Sequence, residues 1–292
     1  MTAVLLTGGS GQIGSALRRS APPGMELVAP DRATLDLADP AALARMVASR
    51  PWAAVVNAAA YTAVDRAESD AVAAWQANAL APAALAAATH AAGIPLIHIS
   101  TDYVFDGAKT APYVEDDPIA PLGVYGASKE GGEQAVRTGN PRHIILRTAW
   151  VVSPDGANFV RTMLRLGAER PELRVVADQH GCPTSAADIA AAIRAILAQP
   201  DPAWGTYHFV NDGAATWYDL AQAVFDRAAG HGLPQPTVTP ITTADYPTPA
   251  RRPANSRLST DRIRGTFGIE PRPWRTAIDE IVDQLLKERR GA

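Results

Sequence analysis

Val4-Leu5-Leu6-Thr7-Gly8-Gly9-Ser10-Gly11-Gln12-Ile13-Gly14 is the stretch that decides the fold. A short apolar run from Val4 to Thr7 stops at a glycine turn, and a helical pattern follows from Ile13 to Arg19. That order is strand, turn, helix. Glycines at 8, 11 and 14 stand in a G-x-x-G-x-x-G spacing, a variant of the G-x-G-x-x-G dinucleotide fingerprint. A side chain at these positions would obstruct the tight turn, the approach of a pyrophosphate or the packing of helix on strand. Backbone N–H groups at the helix start then face an anion. Gly8, Ser10, Gly11, Gln12, Ile13 and Gly14 are therefore the expected phosphate cradle.

Outward from this turn, further apolar runs occur at Leu27–Ala29, Ala53–Val56, Pro95–Ile99 and His143–Leu146. Helical patterns lie between them, near Ala41–Ser49, Ala67–Ala92 and Ser128–Arg137. Strands alternating with helices imply βαβ units, and strands buried on both faces read as continuously apolar, as these do. The expected class is α/β: a doubly wound parallel, Rossmann-type sheet with a smaller α/β substrate-binding lobe toward the C-terminus. The division expected is 1–150 for the dinucleotide-binding domain and 151–292 for the lobe, with some later segments returning to the first domain. Helices are expected in the lobe at Phe159–Leu166, Ala186–Ala198, Trp217–Ala229 and Trp274–Arg289.

Asp31 lies twenty residues past Gly11, after the second strand, where a carboxylate accepts hydrogen bonds from an adenosine ribose. Arg32 beside it suits a 2′-phosphate, so NADPH and NADH both stay open. Farther along, Tyr125-Gly126-Ala127-Ser128-Lys129 sets Tyr and Lys four apart on one helix face. A tyrosine titrates near pH ~10, and a neighbouring ammonium lowers that value toward useful proton donation. Tyr-x-x-x-Lys alone is a weak signal. Ser100-Thr101, ending the fourth strand twenty-four residues before Tyr125, makes it specific, because parallel sheets bind ligands at that edge.

These segments together resemble the extended short-chain dehydrogenase/reductase family and, within it, the dTDP-4-dehydrorhamnose reductases. The likeness also rests on Asn57-Ala58-Ala59-Ala60-Tyr61-Thr62-Ala63-Val64-Asp65, Asp102-Tyr103-Val104-Phe105-Asp106-Gly107 and Arg147-Thr148-Ala149-Trp150. Asp178-Gln179-His180-Gly181-Cys182-Pro183-Thr184 and Arg252-Pro253-Ala254-Asn255-Ser256 carry it to the far end of the chain. The resemblance implies NAD(P)H-dependent reduction of the C4 ketone of dTDP-4-dehydro-6-deoxy-L-mannose to dTDP-L-rhamnose. Tyr125 would give the proton, Lys129 would tune it and bind ribose, and Thr101 would orient the ketone. Asp36, Leu37, Ala58, Ala59, Ala60, Tyr61 and Ser100 would join the cofactor side. Val64, Asp102, Tyr103, Trp150, Gln179, Thr184, Arg252 and Asn255 would line the sugar-nucleotide side, Trp150 and Val64 being equally readable as core, and Asn255 as a loop pin. Some relatives resemble metal-bridged dimers with an acid in the helix after the glycine turn. Gly14-Ser15-Ala16-Leu17-Arg18-Arg19 has none, which favours a monomer or weak homodimer and no bound metal.

Composition narrows the remaining classes. The chain has 292 residues, 47% hydrophobic and 20% charged, with a net charge of −3, and no basic stripe of the kind nucleic acid requires. One cysteine, Cys182, forms no internal disulfide, in keeping with a cytoplasmic setting. The first residues lack the basic and long apolar regions of a signal peptide, and the Ala-rich run Ala71–Gly93 carries Trp75, Gln76, Asn78 and His90, too polar for a membrane span. The six histidines form no His-Glu-x-x-His, and no G-x-S-x-G elbow exists. His180-x-Cys182 reads as a loop histidine beside a buried thiol, and Arg289-Arg290 as a solvated tail. A dehydratase would need an Asp-Glu pair after the threonine, where Asp102-Tyr103 stands. Epimerases on the same scaffold, reduction of another dTDP-deoxysugar (dihydrostreptose type) and a cofactor-binding regulatory subunit similar to that of methionine adenosyltransferase stay open as alternatives.

Overall fold

The structure is a computed structural model that describes residues 2–291, with side chains from 3 to 288. Met1 and the side chains of Arg289-Arg290 lie outside the described residues. Five strands, β1 (Thr2–Thr7), β2 (Met25–Val28), β3 (Ala54–Asn57), β4 (Leu96–Thr101) and β5 (His143–Thr148), join a sixth at Gly205–His208. All pair in parallel, in the order β2-β1-β3-β4-β5 followed by the sixth strand. The chain leaves β1 to one side for β2 and returns on the other for β3. The resulting switch point lies at the carboxyl ends of β1 and β3, where doubly wound sheets bind ligands. There the Thr7 hydroxyl donates to Asn57 Oδ1 at 2.6 Å, tying the two strand ends together.

Both sheet faces are covered, which explains the continuous apolar runs. Val4 and Leu6 pack with Ile13, Ile189 and Ile193 on one face, while Ala3 and Leu5 pack with Leu43, Leu85 and Val136 on the other. The first face is covered by α1 (Gln12–Arg19) and the helix Ala186–Leu197; the second by α2 (Pro40–Ala48) and the helices Ala81–Ala91 and Val124–Gly139. A separate core joins Val160 and Leu164, Leu220 and Phe225, and Ile278 and Val282, from the helices Phe159–Glu169, Trp217–Ala229 and Trp274–Gly291. The parallel pair Glu172–Val176 and Thr237–Ile241 flanks it. Gln12 fastens this layer to the glycine turn: its amide donates to Val151 O at 3.3 Å and accepts from Asn158 Nδ2 at 3.1 Å.

The Ala-rich run differs from the single helix expected over Ala67–Ala92. It divides into Val64–Ala67, Ala71–Trp75, a π-helical turn at Gln76–Leu80, and Ala81–Ala91. Pro82 has no N–H for the carbonyl of Asn78, so the helix widens there. That carbonyl is turned to Gly132 of the neighbouring helix, where a Cβ would lie 2.0 Å from it. The stretch Ala71–Ala91 is long and apolar enough to cross a membrane, but here it lies on the sheet with Ala81, Leu85 and Ala86 buried.

Candidate active site

The glycine turn is closed by Gly11 N–H donating to Gly8 O at 3.0 Å. Gly8 has φ +76°, and a Cβ there would lie 2.6 Å from Ala59 N; one on Gly14 would lie 2.1 Å from Gly8 O. Only glycine lets the turn, the β3 end and α1 approach this closely. Ser10 and Gly11 are exposed beside the α1 N-terminus, Gln12 is half-buried, and Ile13 and Gly14 are buried against the sheet. A dinucleotide pyrophosphate fits this open rim, which offers N–H groups at the positive end of a helix and no side chain in the way.

Asp31 lies three residues beyond β2, and the Thr34 side chain, with Thr34 N–H donating at 2.8 Å, holds its carboxylate below the usual range. Arg32 is exposed next to it. Asp36 accepts from Ala38 N–H at 3.0 Å, while Leu37 is half-buried against the core under α2. Ala58, Ala59 and Ala60 are half-buried after β3, and Tyr61 is gripped through its backbone by Asn78: Tyr61 N–H to Asn78 Oδ1 at 2.8 Å, Asn78 Nδ2 to Tyr61 O at 3.0 Å.

Thr101 is the last residue of β4 and Tyr125 the second of the helix Val124–Gly139. Gly126 lets that helix close on the Asp102–Val104 turn, since a Cβ there would lie 2.1 Å from Tyr103 O. The Thr101 hydroxyl lies beside the Tyr125 phenol, and the Tyr103 and Tyr125 rings meet edge to face with centroids 5.4 Å apart. Lys129, 2% exposed, donates from Nζ to Ile99 O at 2.6 Å. Burial pulls its ammonium down to about 8, against the opposing pull of Glu133. The expected lowering of the Tyr125 phenol by Lys129 is absent. Burial raises it well above its ordinary value, with Asp102 and Tyr103 adding to the rise and Thr101 opposing it. Desolvation dominates because Lys129 is turned to a backbone carbonyl rather than to the phenol.

On the presumed sugar side, Asp102 is 3% exposed, and its carboxyl is pushed up to about 6 by burial, against hydrogen bonds from Ser256 and Thr101. Tyr103 is raised to about 12 by burial, against the pull of nearby Arg252, whose Nη2 donates to Asp65 Oδ2 at 2.6 Å. Val64 is half-buried at the start of its short helix. Trp150, just past β5, stacks on Trp217 at 3.6 Å. Gln179 is 8% exposed, and Thr184 donates through Oγ1 to Cys182 O at 2.9 Å. Cys182 itself is 5% exposed, its thiol pushed up to about 11 by burial. Asn255 spends its amide inside the loops, donating to Lys109 O and Ala111 O at 2.6 and 2.9 Å and accepting from Arg257 Nε at 2.8 Å. Its position is that of a loop pin.

Behind Lys129, Ser100 is buried near Glu133, which takes Arg147 Nε and Nη2 at 2.9 and 2.7 Å; both charged groups are at most 1% exposed. Asn78, Ser128, Glu133 and Trp217 stand in or behind the site without having been singled out in the sequence. Asn78 also donates to Ser128 Oγ at 3.0 Å, and Ser128 donates to Tyr125 O at 2.8 Å, so the π-turn braces the Tyr125 helix. A lone asparagine in an alanine run near a proline is the one signal that pointed to it.

A family model described as RmlD substrate binding domain matches residues 1–287. A protein named dTDP-4-dehydrorhamnose reductase, from Sinorhizobium fredii, is 45% identical over 98% of this chain and 99% of its own. A probable dTDP-4,6-dihydroxy-2-methyloxan-3-one 4-ketoreductase from Streptomyces antibioticus is 44% identical over 99% of each. The crystal structure of dTDP-4-dehydrorhamnose reductase from Bacillus anthracis in complex with NADP superposes with a TM-score of 0.92, at 33% identity, over 97% of this chain and 100% of that one.

Proposed function

We propose, for a chain that belongs to the dTDP-4-dehydrorhamnose reductase family, reduction of the C4 ketone of dTDP-4-dehydro-6-deoxy-L-mannose to dTDP-L-rhamnose. The observation that carries the reading is the placement of Thr101 beside Tyr125 at the carboxyl edge, one helical turn from Lys129 and across the switch point from the glycine turn. NADPH, or NADH in its place, supplies the hydride when bound. Gly8, Ser10, Gly11, Gln12, Ile13 and Gly14 would hold its pyrophosphate, Asp31 and Arg32 the adenosine ribose and any 2′-phosphate, Asp36 and Leu37 the adenine, and Ala58 to Tyr61 with Ser100 its inner half.

In this reading Tyr125 gives its phenolic proton to the C4 oxygen as charge develops there. Its raised pKa keeps that proton in place across the neutral range. Thr101 donates to the same oxygen and orients it, while Lys129 holds ribose hydroxyls. Val64, Asp102, Tyr103, Trp150, Gln179, Thr184, Arg252 and Asn255 form or support the sugar-nucleotide side, with Arg252 suited to the diphosphate. The protein would work in the cytoplasm as a monomer or weak homodimer, with no nucleic acid, membrane or metal partner.

The Streptomyces relative, 44% identical but named for another dTDP-sugar ketone, supports reduction of a different dTDP-4-keto-deoxysugar as the second reading. The test is NADPH oxidation with dTDP-4-dehydro-6-deoxy-L-mannose and with its C3 and C5 epimers, followed by product stereochemistry. Preferred turnover of an epimer selects the second reading, and no oxidation with any of them overturns the first.

A further inference from the structure

We propose that Trp217 is a positioning residue that sets sugar selectivity by holding Trp150 in place beside the cleft, an inference that rests on the nucleotide-sugar reading above. Trp150 is the only non-glycine residue among those described with positive φ, at 48°. A bulky side chain in that region costs about 1–3 kcal/mol and persists only where its surroundings over-determine it. Three contacts do so here. Thr184 N–H donates to Trp150 O at 3.1 Å. Gly181 lets the indole lie on its backbone, since a Cβ there would fall 2.3 Å from the ring. Trp217 stacks over the indole with ring centroids 3.6 Å apart and planes 9° from parallel.

Trp217 is itself held from behind. Its indole N–H donates to Gln179 Oε1 at 3.1 Å, and Gln179 Nε2 donates to Thr243 Oγ1 at 3.0 Å. Thr243 donates to Asp178 through its hydroxyl at 2.7 Å and its N–H at 2.9 Å. Trp217 also opens a helix whose first turn is fixed by the reciprocal Thr216–Asp219 capping box. Two tryptophans that served only to fill a core would both be buried, yet Trp150 and Trp217 each stay partly exposed. Trp150 follows β5 directly, beside the β4 end that carries Thr101. The strained residue thus sits next to the edge where the sugar would lie, with its indole clasped between Gly181 and Trp217.

The test compares wild type with Trp217→Leu and Trp217→Phe. KM and kcat are measured for dTDP-4-dehydro-6-deoxy-L-mannose and one epimer, with Kd for NADPH and Tm alongside. Trp217→Leu is expected to raise the sugar-nucleotide KM and to shrink epimer discrimination, each by roughly tenfold, the worth of a lost aromatic stack. NADPH affinity should stay within about twofold, and Trp217→Phe, which keeps a ring to stack, should recover most of both losses. If Trp217→Leu lowers Tm while KM and discrimination hold, Trp217 is packing alone and the proposal is wrong. If Leu fails to fold, Trp217→Met decides, since it fills the space without a ring: raised KM with reduced discrimination supports the proposal, and unchanged KM and discrimination overturn it. Failure of the wild type to reduce any 4-keto sugar overturns the underlying reading instead, and is read in a separate arm.

Discussion

The Thr101 hydroxyl donates its single proton to Asp102 Oδ1 at 3.0 Å, while its oxygen accepts from Tyr103 N–H at 3.2 Å. A threonine that must donate to a ketone therefore begins with its proton given to a buried carboxylate. Tyr125, Tyr103, Ser256 and Cys182 surround that carboxyl, and burial lifts it to about 6.

Protonation of Asp102 removes the competing acceptor. As pH falls through about 6, kcat/KM for the sugar nucleotide should rise, and Asp102→Asn should flatten that limb. The measurement is a pH–rate profile on both proteins; a limb that survives in Asp102→Asn refutes the competition.

Tyr125→Phe removes the proposed proton donor while keeping the ring against Tyr103. Its kcat should drop by roughly two or more orders of magnitude, with dTDP-sugar binding retained by calorimetry. Near-normal turnover would show that the proton comes from elsewhere.

Lys129 carries its charge in a buried place, with its pKa lowered from 10.5 to about 8. Between those values the unfolded chain holds a proton that the folded protein has released, so stability should rise with pH across that window. Below it the buried ammonium costs stability. Lys129→Met should raise Tm at pH 7, lose the Tm increase between pH 8 and 10, and abolish turnover. A variant with unchanged Tm at both ends would mean that the ammonium is well solvated.

Glu133 and Arg147 are a buried pair with three charge-assisted contacts. Arg147 is also covered by Phe105, 5.1 Å from its guanidinium carbon. Glu133→Ala leaves that guanidinium uncompensated and should cost about 3–5 kcal/mol. Urea unfolding measures this directly, and a loss under about 1 kcal/mol would mean that Glu115 takes over the pairing.

Much of the fold was legible because its determinants are local. Val4–Thr7 and Gly8–Gly14 state strand, turn and helix in adjacent residues, and β1, β3, β4 and β5 announce burial on both faces by their composition. The sixth strand, Gly205–His208, carries no such mark. Thr206 and Tyr207 read as loop until β5 supplies the partner edge. The π-turn was hidden for the opposite reason: alanines favour helix so strongly that Pro82 looked like a tolerated guest. In the site, Thr101, Tyr125 and Lys129 were readable from strand end and helix spacing. Trp217 and Glu133 were not, because their meaning comes from partners at distant positions, Trp150 and Gln179 for one and Arg147 for the other.

Cys182 is the chain's sole sulfhydryl, and it is both walled in and reluctant to ionise. Thiolates, not thiols, react with alkylating and oxidising agents. In the folded molecule this thiol is thus shielded from such reagents, and a label that attaches to it records a moment when the loop carrying Gly181 and Thr184 had come away from its neighbours. The protein carries its own clock for local opening, built from one atom of sulfur.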